Sequence, residues 1–423
     1  MSQADGPAET EDMLRRVINA VAVATVAALG LAGCGSDSGS SGGSTDLELL
    51  VPIYGDKTKP YWEDLVGAFE KKNSDIKVKL ETQSWDDIYT VLDTKIQNNK
   101  APDILELDAA GPAYGADDLL YKADQIVSKE TLADIEPSFV DSAKIKGVAY
   151  GLPSVASTRA LFYNKDLFAK AGIAAPPKTW DELLADAKKI STLGGGVYGY
   201  GMPLGSEEAQ AETSIFAYGA GASWESGGKM TIDTPEAKTA LTFMKKMIDE
   251  HVTQPDPGAT DRTPLLDVFI QGKIGMIQGL PPIVGQINTK NPNLKWDIAP
   301  SPTPDGSPST LGVADYFVGF DKGQDKQAAI AKFLDFFYQK DNYVKFNDNE
   351  GFIPATKSGA EAAAAKPELK TFLGSLPDAK FYPATNPAWG STSGAFKSLV
   401  GQIQSKPVDE VLKQIQAKAD ETG

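Results

Sequence analysis

The fold is decided by residues 47–53, Leu-Glu-Leu-Leu-Val-Pro-Ile, and by the pattern that follows them as far as residue 108. In 47–53 apolar side chains alternate, which is the period of a β-strand, and in 61–69 they recur at helical spacing. The alternation returns in 76–80, a second helical pattern covers 88–96, and a short strand, Pro-Asp-Ile-Leu-Glu-Leu-Asp, ends at residue 108. Connections of this length predict a parallel sheet with right-handed helical crossovers.

The remainder of the chain carries more α/β signals and no visible internal repeat. Residues 161–164 are strand-like, and Thr179 with Glu182 forms a capping box that predicts the start of a helix. Proline follows Thr234, as at the first position of a further helix. A last amphipathic helix is predicted around 408–415. The predicted fold class is therefore α/β, with sheets flanked by helices.

The composition excludes several classes of function. The chain has 423 residues and a formal net charge of -16. Nucleic acid and anionic membrane surfaces are bound by basic surfaces, so neither is predicted as a partner. Cys34 and His251 are the single cysteine and the single histidine. They are too few for a zinc site or a Cys/His or Ser/His catalytic group, and no metal or other cofactor is predicted.

The N-terminus has the pattern of a processing segment. Two arginines precede an uncharged apolar run at 17–33, and the Leu-Ala-Gly before Cys34 resembles the lipobox of bacterial lipoproteins. That resemblance implies a signal peptide at 1–33 and a diacylglyceryl group on the cysteine sulfur. Gly and Ser then dominate, so that 34–45 is expected to be an acylated, flexible tether. The expected location is the outer face of the cytoplasmic membrane, with the lipid as the only anchor.

Polar side chains gather where the predicted parallel strands end, which is where open parallel sheets bind ligands. The loop after the first strand holds Asp56 and Lys57. The second helix opens with Trp85 and Asp86, and the third strand ends at Asp108. Paired carboxylates, one cation and an aromatic face suit the hydroxyls and C–H surfaces of a polyol or a sugar. The alternative interpretation is that these residues are helix caps and a packed tryptophan.

Other ligands and one enzymatic function remain open from these residues. Two carboxylates are also the acid and the nucleophile of a glycosidase. The acids and aromatics would equally receive a polyamine. A phosphate ligand such as a glycerophosphodiester needs an arginine or a helix terminus, for which Arg159 and Lys57 are the candidate cations.

Two strings in the middle of the chain resemble a known family. They read Ala-Leu-Phe-Tyr-Asn-Lys-Asp-Leu-Phe-Ala-Lys-Ala-Gly-Ile from residue 160 and Pro-Pro-Lys-Thr-Trp-Asp-Glu-Leu from residue 176. Both are similar to the family-1 extracellular solute-binding proteins, the maltose-binding-like group that serves carbohydrate importers. Further stretches fall in the family's order, and they lie at 228–236, 269–276, 331–334 and 351–354. The resemblance covers nearly all of 46–423.

The resemblance implies a two-lobed periplasmic-binding fold of type II, with mixed sheets and a ligand cleft at a hinge. The first lobe would hold 46–155 plus 316–338, and the second would hold 159–311 plus 345–423. The chain would cross the hinge near 155–158, near 313–316 and within 339–350. Asp315, close to Gly312, fits the role of a hinge residue.

The resemblance also assigns ligand-binding residues by motif. They are, in chain order, Asp56, Lys57, Asp108, Ser157, Arg159, Gln210, Glu212, Asp315 and Trp389. One position departs from the family pattern, because many members place a sugar-stacking tryptophan after 276–279. Here Leu280, Pro281 and Pro282 stand there, which leaves Pro281 as the expected contact and makes Trp85 and Trp389 the expected aromatic platforms.

The predicted function is that of a non-catalytic receptor. It binds a mono- or oligosaccharide between its lobes and presents the closed form to the membrane permease of an ABC importer. The alternatives are a receptor for a glycerophosphodiester or a polyamine, and a surface glycosidase. A monomer is expected.

Overall fold

The computed structural model describes residues 44–85 and 87–422. The predicted signal peptide, the predicted lipidation site Cys34 and the predicted ligand residue Asp86 lie outside the described residues. Within those ranges, no helix is both long enough and apolar enough to span a bilayer.

Strands and helices alternate along the described chain. The strands β1 to β14 are Thr45–Pro52, Ile76–Gln83, Ile104–Leu107, Lys144–Ile145, Val148–Ala149, Leu152–Thr158, Ala160–Asn164, Tyr198–Gly201, Glu225–Ser226, Lys229–Met230, Ile274–Gly279, Trp296–Ala299, Thr310–Gly319 and Ala379–Lys380. The helices α1 to α16 are Thr58–Lys72, Ile88–Gln97, Lys129–Asp134, Pro137–Ser142, Lys165–Lys170, Trp180–Ser191, Ala209–Gly219, Pro235–Asp249, Arg262–Ile270, Ile283–Lys290, Gln324–Phe337, Lys340–Glu350, Lys357–Ala363, Lys370–Gly374, Trp389–Leu399 and Val408–Asp420.

The first sheet contains the three strands predicted from residues 47–108. Its order is β14-β13-β3-β1-β2, with β6 also paired to β13. β1 runs parallel to both β2 and β3, so the predicted parallel pairing is confirmed. β13 joins antiparallel to β3 and to β6, which makes the sheet mixed. We call the part of the chain built on this sheet the first lobe.

The second sheet has the order β12-β7-β11-β8 and defines the second lobe. β7 is antiparallel to β11 and β12, whereas β8 is parallel to β11, so this sheet is mixed as well. The chain passes from the first sheet to the second between β6 and β7, where only Arg159 separates the two strands. This short passage places Arg159 at the junction of the lobes.

Each lobe has an aromatic core. In the first lobe the fully buried Trp62 of α1 stacks on Phe337 of α11, with ring centroids 5.4 Å apart. In the second lobe Trp180 of α6 stacks on Phe243 of α8 at 4.7 Å. The capping box that starts α6 is present, since Thr179 accepts from the backbone N–H of Glu182 at 3.2 Å and the Glu182 carboxylate accepts in return. Helix start and buried face are thus both local properties of the sequence.

Candidate functional site

A cavity of about 540 Å³ lies between the two lobes. Its walls are formed by the start of α2, the loop after β3, the junction between β6 and β7, the residues around the start of α7, β13, residues 381–384 and α15. The volume is in the range of small-molecule binding sites. The lining side chains that carry polar atoms are Tyr89, Asp108, Ser142, Arg159, Glu208, Gln210, Tyr316, Tyr382, Trp389, Ser393 and Lys397.

The wall from the first lobe presents a carboxylate and a phenol. Asp108 follows β3 directly, and its Oδ1 accepts the backbone N–H of Ala110 at 3.0 Å. Tyr89, in the first turn of α2, lies close to Asp108. Burial and then the negative charge of Asp108 raise the pKa of the Tyr89 hydroxyl. At neutral pH this wall therefore offers an acceptor and a donor suited to sugar hydroxyls.

Beside this wall, Tyr54 in the loop after β1 contacts two acids, Glu106 on β3 and Asp315 on β13. The Tyr54 hydroxyl donates to Asp315 Oδ2 at 2.5 Å, and its oxygen lies 3.3 Å from Glu106 Oε1. A phenol has one proton, so the second contact requires a proton on Glu106. Burial raises the pKa of Glu106 well above its usual range. Burial, with a further contribution from the charge of Asp108, raises the pKa of Asp315 to about 7.

The wall from the second lobe is a buried ion network. Arg159, which is 3% exposed, places Nη2 3.1 Å from Glu208 Oε1. Arg262 contacts the other oxygen of Glu208, and its Nη2 lies 3.1 Å from Glu212 Oε2. Tyr200 donates to the second oxygen of Glu212 at 2.6 Å. The two carboxylates and two guanidinium groups form one connected unit that fixes Arg159 and Glu208 at the cavity.

The two acids of this network differ in their ionisation. Burial by itself would raise the pKa of Glu208, but the charges of Arg159, Arg262 and Lys397 outweigh it, and the pKa is lowered. For Glu212 the effect of burial on the pKa is larger than the opposing effect of the Arg262 charge, so the pKa of Glu212 is raised. Glu208 is therefore the firmly ionised acid of the pair.

Helix α15 supplies an aromatic surface and a cation. Trp389 stacks on Tyr382, with ring centroids 4.8 Å apart and an interplanar angle of 25°. Ser393 and Lys397 follow Trp389 at intervals of four residues and therefore lie on the same face of the helix. All of these residues line the cavity. An aromatic pair with nearby donors can bind the C–H face and the hydroxyls of a sugar at once.

The structure brings four of the predicted ligand residues together at the cavity: Asp108, Arg159, Gln210 and Trp389. Three other predicted residues lie outside its lining on the first lobe. Asp56 and Lys57 are exposed in the turn that opens α1. Trp85 is half-buried and packs edge-on against Tyr54, with ring centroids 5.7 Å apart.

The remaining predicted residues are buried and bonded to protein neighbours. Ser157 accepts from Arg159 at 3.3 Å. Glu212 is held by Arg262 and Tyr200, and Asp315 accepts from Tyr54. The backbone carbonyl of Pro281, which is also buried, accepts the N–H of Val284 at the start of α10. These four residues support the walls, and none lines the cavity.

Seven polar residues of the cavity lining were missed by the sequence reasoning: Tyr89, Ser142, Glu208, Tyr316, Tyr382, Ser393 and Lys397. The spacing of Trp389 and Lys397, eight residues apart, is the signal that could have identified Lys397 on the tryptophan's face of the helix. Tyr382 has no comparable signal, because its approach to Trp389 depends on how the chain folds before α15.

Comparisons with known proteins agree with this geometry. The profile of bacterial extracellular solute-binding proteins matches residues 55–344. A protein of Brucella abortus (strain 2308) that is described as a binding protein is 36% identical to this chain over 399 residues, which cover 90% of this chain and 94% of the relative. The galactooligosaccharide-binding protein of Bacillus subtilis (strain 168) is 27% identical over 88% of this chain and 89% of its own length. The crystal structure of the cyclic alpha-maltosyl-1,6-maltose binding protein from Arthrobacter globiformis matches with a TM-score of 0.79 at 22% identity, over 90% of this chain and 99% of that chain. This structural match establishes the two-lobed α/β fold.

Proposed function

The chain belongs to the bacterial extracellular solute-binding protein family, and on that premise we propose that it is the receptor of an ABC importer. It binds a mono- or oligosaccharide in the cavity between the lobes and delivers it to a membrane permease made of separate chains. Two of the similar proteins, from Bacillus subtilis and Arthrobacter globiformis, are named as saccharide-binding proteins, and this supports a saccharide as the ligand. It acts by binding alone and carries out no reaction on the ligand.

One observation carries the proposal: the cavity sets an aromatic pair from the second lobe against hydrogen-bonding groups from both lobes. The Tyr382–Trp389 pair suits the C–H face of a pyranose ring. Asp108 and Tyr89 from the first lobe and Gln210 from the second suit its hydroxyls. A ligand in this position contacts both lobes at once, so its binding favours the closed arrangement that a permease would recognise.

A thermal-shift screen tests the ligand class. The purified protein is heated with mono- and disaccharides, polyols, glycerophosphodiesters and polyamines, and a ligand at 100 times its Kd adds about 2.7 kcal/mol of stability. A shift with a saccharide that is recovered unchanged supports the receptor. A shift with only a glycerophosphodiester or a polyamine contradicts the saccharide assignment, and a new product after incubation identifies a glycosidase.

Substitution at the two walls tests the site. We expect Trp389→Ala and Asp108→Ala each to weaken saccharide binding by about 1–3 kcal/mol, through loss of a stacking group and of a hydrogen-bond acceptor. Isothermal titration calorimetry measures the change. Asp56→Ala is the matched control, since Asp56 lies outside the cavity lining. Unchanged affinity in both cavity variants, or a larger loss in the control, would place the ligand elsewhere.

We also propose that the lobes move as the units predicted from the sequence, 46–155 plus 316–338 and 159–311 plus 345–423, with one change. Helix α12 moves with the first lobe, because its Phe346 packs on Trp62 of α1 with ring centroids 5.3 Å apart. The passage through Arg159 between β6 and β7, and the bulge of β13 between Asp315 and Tyr316, support hinge points at these places. Closure would then bring Asp108 toward the Tyr382–Trp389 pair.

Membrane anchoring through Cys34 is part of the proposal. The Leu-Ala-Gly-Cys34 sequence and the Gly/Ser stretch after it support acylation on the outer face of the membrane. We expect Cys34→Ala to release the protein into the medium or to leave the signal peptide uncut, which cell fractionation and the mass of the purified chain would show. A Cys34→Ala protein that is processed and still membrane-bound would contradict the lipid anchor.

A further inference from the structure

Of the charged side chains of the cavity lining, Lys397 is the one cation that has no ion-pair partner in the part of the chain that the structure describes. The lining contains four such charged groups, which are Asp108, Arg159, Glu208 and Lys397. Arg159 and Glu208 pair with each other at 3.1 Å, and Asp108 accepts a backbone N–H. We propose that the saccharide bound in this cavity is a sugar acid, whose carboxylate is bound by Lys397. This inference rests on the proposed function and specifies its ligand.

The charge count of the second-lobe wall supports an anionic ligand. Three cations, Arg159, Arg262 and Lys397, act on the carboxylate of Glu208. The second acid, Glu212, is fully buried and pairs with Arg262 at 3.1 Å, so two carboxylates face three cations in this wall. The wall therefore carries an excess of positive charge in a chain whose net charge is -16. A ligand carboxylate supplies the missing counter-charge.

The Tyr382 hydroxyl, in the same cavity lining as Lys397, is a neutral donor that suits a ligand with a single negative charge. The Tyr382 hydroxyl is buried, lies within the field of Arg159, Glu208 and Arg262, and has no hydrogen-bond partner among the described residues. It can donate to a ligand oxygen. Arg159 is already engaged with Glu208, so the wall has one uncommitted cation. A phosphate ester, which needs an arginine fork or a helix N-terminus, fits this set less well than a carboxylate does.

The helix geometry separates the carboxylate from the stacked ring. Trp389 and Lys397 lie eight residues apart on α15, which corresponds to about 12 Å along the helix axis. Lys397 therefore contacts a different part of the ligand from the part that stacks on the Tyr382–Trp389 pair. The expected ligand is an oligosaccharide with a neutral ring on the aromatic pair and an acidic unit toward Lys397.

Carboxyl reduction provides the test, because it converts each carboxylate into a hydroxymethyl group and leaves the linkages unchanged. Oligosaccharides from polygalacturonate, alginate and glucuronoxylan are offered to the full protein before and after reduction. Retained species are identified by mass spectrometry and then titrated calorimetrically. We expect an acidic oligosaccharide to be retained and its reduced form to bind about 10- to 100-fold more weakly.

Lysine variants link the preference to the proposed residue. Lys397→Met should weaken binding of the acidic oligosaccharide by the same factor and leave the affinity for its reduced form nearly unchanged. Lys397→Arg should retain most of the preference for the acidic form over the reduced form. Lys413→Met is the matched control, since Lys413 is exposed on α16 and lies outside the cavity lining. Thermal unfolding of each variant verifies that it is folded.

The outcomes separate the inference from the proposed function. Retention of the reduced oligosaccharides with equal or higher affinity, or a Lys397→Met protein that binds the acid unchanged, overturns the sugar-acid inference and leaves the saccharide receptor standing. Binding of a glycerophosphodiester or a polyamine, with no oligosaccharide retained from either pool, overturns both.

Discussion

Arg262→Met is expected to lower the free energy of unfolding by about 3–5 kcal/mol. Arg262 is 5% exposed and contacts both Glu208 and Glu212, and its Nη1 donates to the backbone carbonyl of Gln278 at 2.8 Å. Methionine fills a similar volume but leaves the fully buried Glu212 without a cation. Urea unfolding followed by tryptophan fluorescence measures the loss.

Two further variants test whether this loss comes from the buried charges. Adding Glu212→Gln to Arg262→Met should restore part of the stability, because the uncompensated carboxylate is removed. Lys295→Met is the surface control, since its pair with Asp166 is exposed and such pairs contribute at most about 1 kcal/mol. Equal losses in Arg262→Met and Lys295→Met would show that the buried network contributes no more than a surface pair.

Stability is expected to fall between about pH 4 and pH 7 because of Asp315. Burial raises the pKa of this carboxyl from 3.8 to about 7 in the folded protein. The folded state therefore holds the proton more tightly than the unfolded chain does. The protonated Asp315 carboxyl makes its full contribution to the free energy of unfolding below about pH 4. This contribution is lost as the pH rises through 7, by about 1.4 kcal/mol per pH unit and roughly 4 kcal/mol in total.

Asp315→Asn isolates this contribution. The amide oxygen can still accept from Tyr54, but the side chain no longer ionises, so the variant should gain stability relative to the native protein as the pH rises from 5 to 8. Urea unfolding at several pH values measures the difference. Asp64→Asn, an exposed aspartate of α1 with a side chain 78% exposed, is the control for loss of one charge. A constant difference between Asp315→Asn and the native protein across this range would contradict the assignment.

The elements of the fold could be predicted because their causes are local. The alternation in 47–53 and 76–80 and the helical spacing in 61–69 become β1, β2 and α1. The capping box of Thr179 and Glu182 fixes the start of α6. Each feature depends on residues within a few positions of one another, so a single sequence contains the information.

The candidate site could be predicted only in part. Asp108 was identifiable because the carboxyl end of a parallel strand has a defined position in the fold. Glu212 has the same polar character in the sequence, yet it is fully buried against Arg262 and Tyr200, which are 50 and 12 residues away. Whether such a carboxylate faces a ligand or a protein cation depends on contacts between distant segments.

The sequence by itself determined the α/β class and the parallel pairing of the first strands, because these follow from local periodicity and from the lengths of the connections. Only the tertiary structure decided which polar residues share a cavity. It enclosed Glu212 and Asp315 in hydrogen-bonded walls and brought Tyr382 onto Trp389. It also left Lys397 without an ion-pair partner among the described residues. The physical reason is that burial and charge pairing are set by neighbours in space, which hydrophobic packing selects from segments far apart in the chain.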